Sequence, residues 1–373
     1  MIPTLRDRIE TWSQDSPFSS HADRSSAEFL RGRRVLITGG GGSIGRALVQ
    51  AVRRCDPAAL IVIEQDEGAL FELRQSLASA PLTFGAACLL GSFGDEGLVD
   101  AVFRQHEPEI VFHAAAYKHV TLLEENPFAA VENNVLRTRT LLGTALRHGV
   151  DHFVLISTDK AVDPASVMGA TKRVAELLLQ SVPTARTCVS AVRLGNVWGS
   201  QGSVVPVFLE RLARGLPLVV TDPQASRYFL SMDEAVSALF AALKPRPMGT
   251  VLLPELGAPV RIVDVAQALM EMHGSSVPME FSRLGAGEKR IESLLAEDEV
   301  LLNSPPEEHA ALRVVSGPAI SLDEIHAALC SLEEALTSRD LPALVAALQR
   351  CVPRYAPSEV VLEAMRDRQG ALA

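Results

Sequence analysis

The sequence predicts an α/β fold: a doubly wound parallel sheet followed by a smaller C-terminal lobe. Two observations carry this. From Arg33 onward, short continuous apolar runs alternate with stretches of helical period, and the first apolar run ends in a run of glycines. Continuous apolar strands signal a sheet covered on both faces, which parallel crossovers produce. VLIT (35–38) reads as the first strand and SIGRALVQAVRR (43–54) as the helix after it. LIVIE (60–64) and EGALFELRQSLAS (67–79) form the next strand and helix, and a weaker third strand lies near 83–90. EIVFHAA (109–115) is a fourth strand, followed by one long helix over 129–149 closed by Gly149. HFVLIS (152–157), the helix SVMGATKRVAELLLQS (166–181) and TCVSAVRL (187–194) complete the alternation. Residues 1–30 are polar and Ser-rich, and read as an extension with one helix. Residues 31–195 are the main domain and 196–330 the smaller lobe, partly interleaved with it. Residues 331–373 form a helical extension, within a tract from 320 broken at Pro342 and Pro353.

Composition narrows the function classes. The chain of 373 residues has a net charge of −10, which argues against non-specific binding to nucleic acid or anionic membranes. No apolar run is long enough for a membrane span, and the N-terminus lacks the apolar core of a signal peptide. Five scattered cysteines make neither a disulfide framework nor a metal-binding pair, so no metal is expected and a reducing, cytoplasmic setting fits. Of 35 basic residues only Lys118, Lys160, Lys172, Lys244 and Lys289 are lysine. Arginine serves wherever a permanent cation will do, so the retained lysines point to chemistry that needs a releasable proton.

The glycine run TGGGGSIG (38–45) follows a strand and opens a helix, with Gly39, Gly42 and Gly45 in GxxGxxG spacing. Glycines there allow a tight turn and a close backbone approach, and the helix N-terminus attracts a pyrophosphate. Glu64 ends the second strand, where a carboxylate can accept hydrogen bonds from the adenosine ribose and repel a 2′-phosphate. These features predict a Rossmann-type site for NAD rather than NADP.

Eight segments stand in order along the chain: ITGGGGSIG (37–45), FHAAAYKHV (112–120), ENPFAAVENNV (125–135), LISTDKAVDPASVMGATKRVAE (155–176), VRLGNVWGSQGSVVPVF (192–208), SRYFLSMDEA (226–235), GAGEK (285–289) and VPRYAPS (352–358). Together they resemble the extended short-chain dehydrogenase/reductases. Within these the chain is similar to the polysaccharide-biosynthesis nucleotide-sugar dehydratases, typified by UDP-N-acetylglucosamine 4,6-dehydratase. The resemblance implies that Ser43, Ile44, Ala114 and Ala115 join the glycines around the cofactor. It also implies a nucleotide-sugar substrate, UDP-linked, and a homo-oligomer.

STDK (157–160) ends the fifth strand, on the edge where doubly wound sheets place active sites. Met168 and Lys172 follow four residues apart, on one helix face. Short-chain dehydrogenases place Tyr and Lys at this spacing with Ser or Thr upstream. Thr158 and Lys172 match, but Met168 stands at the tyrosine position, and a thioether moves no proton. Some dehydratases of this family also carry Met there. The resemblance implies that Asp159 protonates the departing C6 hydroxyl and Lys160 removes the C5 proton. Thr158 would bond the C4 hydroxyl and Lys172 the nicotinamide ribose.

Lys118 and His119 follow the fourth strand, near the expected nicotinamide and sugar phosphates. The resemblance gives Asn196, Ser203 and Val204 to the loop that meets the nucleotide diphosphate, Arg227 to a phosphate contact and Glu288 to the uridine ribose. Ser92 stands where the family has an adenine-binding Asp, and Thr121 replaces a usual Pro. Three readings follow: a nucleotide-sugar 4,6-dehydratase, an epimerase of the same fold that stops short of losing water, and a non-catalytic NAD-binding regulatory protein.

Overall fold

The computed structural model describes residues 5–13, 28–79, 84–182, 186–244, 247, 249–302, 312–318 and 320–370. Of the expected N-terminal extension, 1–4 and 14–27 lie outside them, as do residue 83 of the third strand region and the last three residues. Six strands open the sheet: β1 (Arg34–Thr38), β2 (Ala59–Glu64), β3 (Gly85–Leu90), β4 (Ile110–His113), β5 (His152–Thr158) and β6 (Cys188–Leu194). All are parallel, in the spatial order 3-2-1-4-5-6. The order reverses between β1 and β4, so a crevice opens beyond their carboxyl ends.

Each strand serves two cores. Leu36, Phe153 and Leu155 face one layer, while Val35, Ile37, Val154 and Ile156 face the other. A period of two with both faces apolar gives the continuous hydrophobic runs seen in the sequence. The second layer includes the helices Ser43–Arg53 and Met232–Ala241. The first includes Val167–Gln180 and the C-terminal helices Leu322–Ser338 and Leu341–Cys351.

The sheet does not stop at 195. It continues through β7 (Thr250–Pro254), parallel to β6, then β9 (Leu312–Ser316) and β8 (Val300–Leu302) as antiparallel additions, in the order 6-7-9-8. The lobe after 195 is thus threaded back into the main sheet. A third core, with Phe208, Leu218, Phe229 and Val265, lies within it. Two local features differ from the expectation. A helix over Glu96–His106, capped by Asp95, fills the crossover between β3 and β4. The long helix expected over 129–149 is divided by a π turn at Glu132–Leu136, although Gly149 ends it at φ +66° as expected.

Arg193 of β6 is fully buried and joins the lobe to the sheet. Its guanidinium donates to both oxygens of Glu176 (3.0 and 2.8 Å) and both of Glu299 (2.8 and 2.6 Å). The arginines beside it overcome burial and hold Glu176 down to about 2. Removing one partner strands buried carboxylates, so Arg193→Met is expected to cost about 3–5 kcal/mol in urea unfolding at pH 7. Because Glu176 is depressed below its unfolded value, its contribution is complete above about pH 4.5 and fades as pH falls toward 2. The variant should therefore show a shallower loss of stability with acid than the wild type.

Candidate active site

The crevice begins at the glycine turn. Gly39 has φ +70°, and a side-chain carbon there would stand 2.6 Å from the Ala115 Cα. One at Gly45 would overlap the carbonyl oxygen of Gly39. The helix Ser43–Arg53 starts at Gly42 with no side-chain cap, whereas Asp66, Asp95 and Ser166 cap the helices that follow them. Its first N–H groups thus lack intrahelical partners and face the crevice, as an anion site requires.

Two contiguous cavities of about 800 and 470 Å³ occupy the crevice and share Gly39, Gly42, Ser43, Ala114, Ala116 and Gln201 in their walls. Glu64 and Ala115 border the first; Ile44 and Gly45 border the second. The whole expected cofactor set therefore meets on one cleft, and its volume and uncapped helix fit a dinucleotide. Glu64 also has a structural task. Its Oε2 accepts from Gly41 N (2.9 Å), and its Oε1 from Gln65 N and Asp66 N (2.8 and 3.0 Å). This fastens the glycine loop to the end of β2 and leaves capacity on Oε2 for a ligand hydroxyl.

The second cavity is bordered by Thr158, Lys160, Met168, Lys172, Lys118, His119, Asn196 and Ser203. Thr158 ends β5, and its hydroxyl donates to Asp159 Oδ1 (2.9 Å). Lys160 Nζ donates to the same oxygen (2.9 Å) and to Asn196 Oδ1 (3.0 Å). Asp159 is wholly buried, and its Oδ2 has no hydrogen-bond partner. Lys172 is largely buried, and desolvation, opposed by Glu176, lowers it to about 8. Lys118 Nζ donates to Gln201 O (2.6 Å), and burial lowers its pKa too.

Three expected ligands stand elsewhere. Val204 starts the helix Val204–Ala213 and is not part of the cleft wall. Arg227 Nη1 donates to Ser226 O and Arg290 O (2.8 and 3.1 Å), and Glu288 accepts from Gly285 N within its own turn (3.0 Å). Neither borders the two cavities.

Two features were not anticipated. Glu292 is buried behind the Asp159–Lys160 pair, 3.9 Å from Lys160 Nζ, Arg227 Nε and Lys289 Nζ. Burial pushes its carboxyl up, against the pull of Lys160. The signal was present in GEKRIE, an acid three residues from a rare lysine. The other is Tyr117, which borders the cavity while Asn134, inside the π turn, bonds both its N–H and its C=O (2.9 and 3.0 Å). π turns of this kind concentrate at functional sites.

A Lys172 ammonium that bonds a dinucleotide ribose would give a pH signature. NAD affinity should hold steady below pH 8 and weaken as pH rises through about 8, where the ammonium is lost. Lys172→Met should bind more weakly, roughly tenfold, with a flat profile between pH 7 and 9.5. Calorimetric titration reads both; a sloping profile in the variant would assign the titration to another group.

The family described as polysaccharide biosynthesis protein matches residues 35–313. The capsular polysaccharide biosynthesis protein CapD of Staphylococcus aureus is 38% identical over 280 residues, 73% of this chain and 46% of that protein. This chain thus spans about half the length of that relative. A UDP-glucose 4-epimerase of Rickettsia canadensis is 31% identical over 276 residues, covering 72% of this chain and 79% of the epimerase. Among solved structures, Pen from Bacillus thuringiensis aligns with a TM-score of 0.68 and 28% identity over 81% of this chain and 98% of its own. Fold, cleft and matched segments agree, and the chain belongs to the polysaccharide biosynthesis protein family of extended short-chain dehydrogenases/reductases.

Proposed function

We propose that the chain is an NAD-dependent nucleotide-sugar 4,6-dehydratase acting on a UDP-N-acetylhexosamine. The observation that carries this reading is the Asp159–Lys160 pair. A carboxyl with one oxygen doubly engaged and the other unpartnered sits beside an amine on the cleft wall. Elimination of water across C5–C6 needs an acid and a base at adjacent carbons, whereas epimerisation at C4 needs neither.

NAD, when bound, supplies the acceptor and later the donor of one hydride. The uncapped helix at Ser43 would hold its pyrophosphate, Glu64 a ribose hydroxyl, and Lys172 the nicotinamide ribose. The Glu64 carboxylate disfavours a 2′-phosphate, which supports NAD over NADP. Thr158 would accept a hydrogen bond from the C4 hydroxyl and pass its proton toward Asp159, already bonded at 2.9 Å. Once C4 is a ketone, the C5 proton is acidic and Lys160, as the free amine, would remove it. Asp159, which lies behind the cavity wall, would return its proton through the Thr158 hydroxyl to the C6 hydroxyl, which leaves as water. Lys160 would give its proton back to C5 as the hydride reaches C6. Glu292 keeps a second carboxyl near Lys160 and helps balance the three cations around it. In this scheme Met168 needs no proton chemistry; it closes the cleft as an apolar wall.

The likeness to UDP-glucose 4-epimerases keeps epimerisation as the second reading. Incubation with UDP-N-acetylglucosamine in D₂O, followed by proton NMR, separates them. Dehydration gives a new C6 methyl signal and deuterium at C5. Intact C6 protons with altered ring couplings would mean epimerisation, and no turnover across a panel of nucleotide sugars would leave an NAD-binding regulator. Lys160→Ala should lower kcat by at least about a thousandfold with NAD affinity preserved; normal turnover in this variant would refute the base assignment.

A further inference from the structure

The helix Leu5–Ser13 precedes the segment shared with the family, yet it is firmly seated. Ile9 is fully buried in the core of the lobe. Trp12 packs against Trp198 and Phe229, with ring centroids 5.0 and 5.8 Å apart, and Arg8 lies 4.6 Å over its ring. The indole N–H of Trp198 donates to Ser13 Oγ (3.2 Å).

Trp198 is the root of the loop that spans the crevice. Three residues on, Gln201 N donates to the Ser43 hydroxyl (2.9 Å) and Gln201 O accepts from Lys118 Nζ (2.6 Å). Gln201 thus bridges the glycine turn and the loop after β4, and it borders both cavities. Gly199 and Gly202, both at φ +70°, give the loop its two left-handed corners. Gly202 lies so close to His119 that a side-chain carbon would stand 2.6 Å from the ring. The loop therefore crosses directly over the helix start that would receive the pyrophosphate.

We propose that Trp12 is a positioning residue for this loop: the N-terminal helix holds Trp198, keeps Gln201 fastened across the cleft, and so slows the escape of a bound dinucleotide. The inference rests on the NAD reading above and extends it to retention. A cofactor that is oxidised and reduced within one turnover gains from staying bound. Leaving requires Gln201 to release Ser43 and Lys118, and a loop pinned at its root cannot swing out as one piece.

The chain contains only two tryptophans, and they are this pair. Protein loaded with NAD and freed of excess by gel filtration would be followed for cofactor loss, and tryptophan emission recorded on NAD addition. Trp12→Ala should release NAD about tenfold faster and lose the emission change; Trp12→Phe, which keeps an aromatic ring, should stay near wild type. An unchanged release rate in Trp12→Ala overturns the inference. Should that variant not fold, Trp198→Phe keeps a ring but loses the bond to Ser13. It should then release NAD roughly threefold faster with an unaltered melting temperature, and an unchanged rate there also overturns it. Wild-type protein that binds no NAD contradicts the proposed function itself, a different failure from unaltered variant rates.

Discussion

Gly45 packs its bare Cα onto the carbonyl oxygen of Gly39, and no other residue leaves room for that contact. The tight turn aims the start of the helix Ser43–Arg53 at the crevice, and Gly42, lacking a side chain, leaves its N–H groups open. Glu64 reinforces the arrangement by binding Gly41 from the neighbouring strand. The rest of the site is assembled against this corner: Ala114 and Ala115 can approach it because both are small, and the loop at Gln201 fastens to it through Ser43. One steric condition thus sets where an anion binds, and everything that would act on a sugar is measured from there.

The reactive end is governed by charge rather than by space. Asp159 and Lys160 share a hydrogen bond in a buried place, with Glu292, Arg227 and Lys289 around them. Two acids thus stand among three cations, and each acid keeps one buried oxygen, Asp159 Oδ2 and Glu292 Oε2, without a hydrogen-bond partner. Beneath them, Ser157 donates to Glu176 (2.6 Å), which the buried Arg193 ties to Glu299 from the far lobe. The helix Val167–Gln180 is thereby held by ion pairs that do not face the cleft, while its Lys172 borders it.

Most of the frame was legible because its signals are local. Apolar runs with both faces buried gave strands within a residue or two of those observed, and the glycine spacing marked the uncapped helix start at the crevice. What the sequence concealed depends on contacts between distant residues. Val251 pairs with Ala191 and Val315 with Val251, pairings that no local period announces. The π turn at 132–136 hides in an unbroken helical pattern, since one extra residue per turn leaves its composition unchanged. Arg227, a phosphate ligand by its motif, stands off the two cavities with Nη1 on backbone carbonyls, a placement its motif does not announce. Glu292 acquires meaning only when the fold brings three cations to it. The N-terminal helix read as a polar extension, and its importance lies in aromatic contacts made far along the chain, at Trp198, 186 residues on, and at Phe229.

In the proposed reaction one hydride leaves C4 and returns to C6 of the same sugar while the cofactor stays in the cleft. A crossover experiment addresses this directly. UDP-N-acetylglucosamine deuterated at C4 is mixed with substrate labelled with carbon-13 but not deuterium, and the products are resolved by mass. The account predicts deuterium on the C6 methyl of carbon-12 product alone. Deuterium in the carbon-13 product, or its absence from C6, would contradict it.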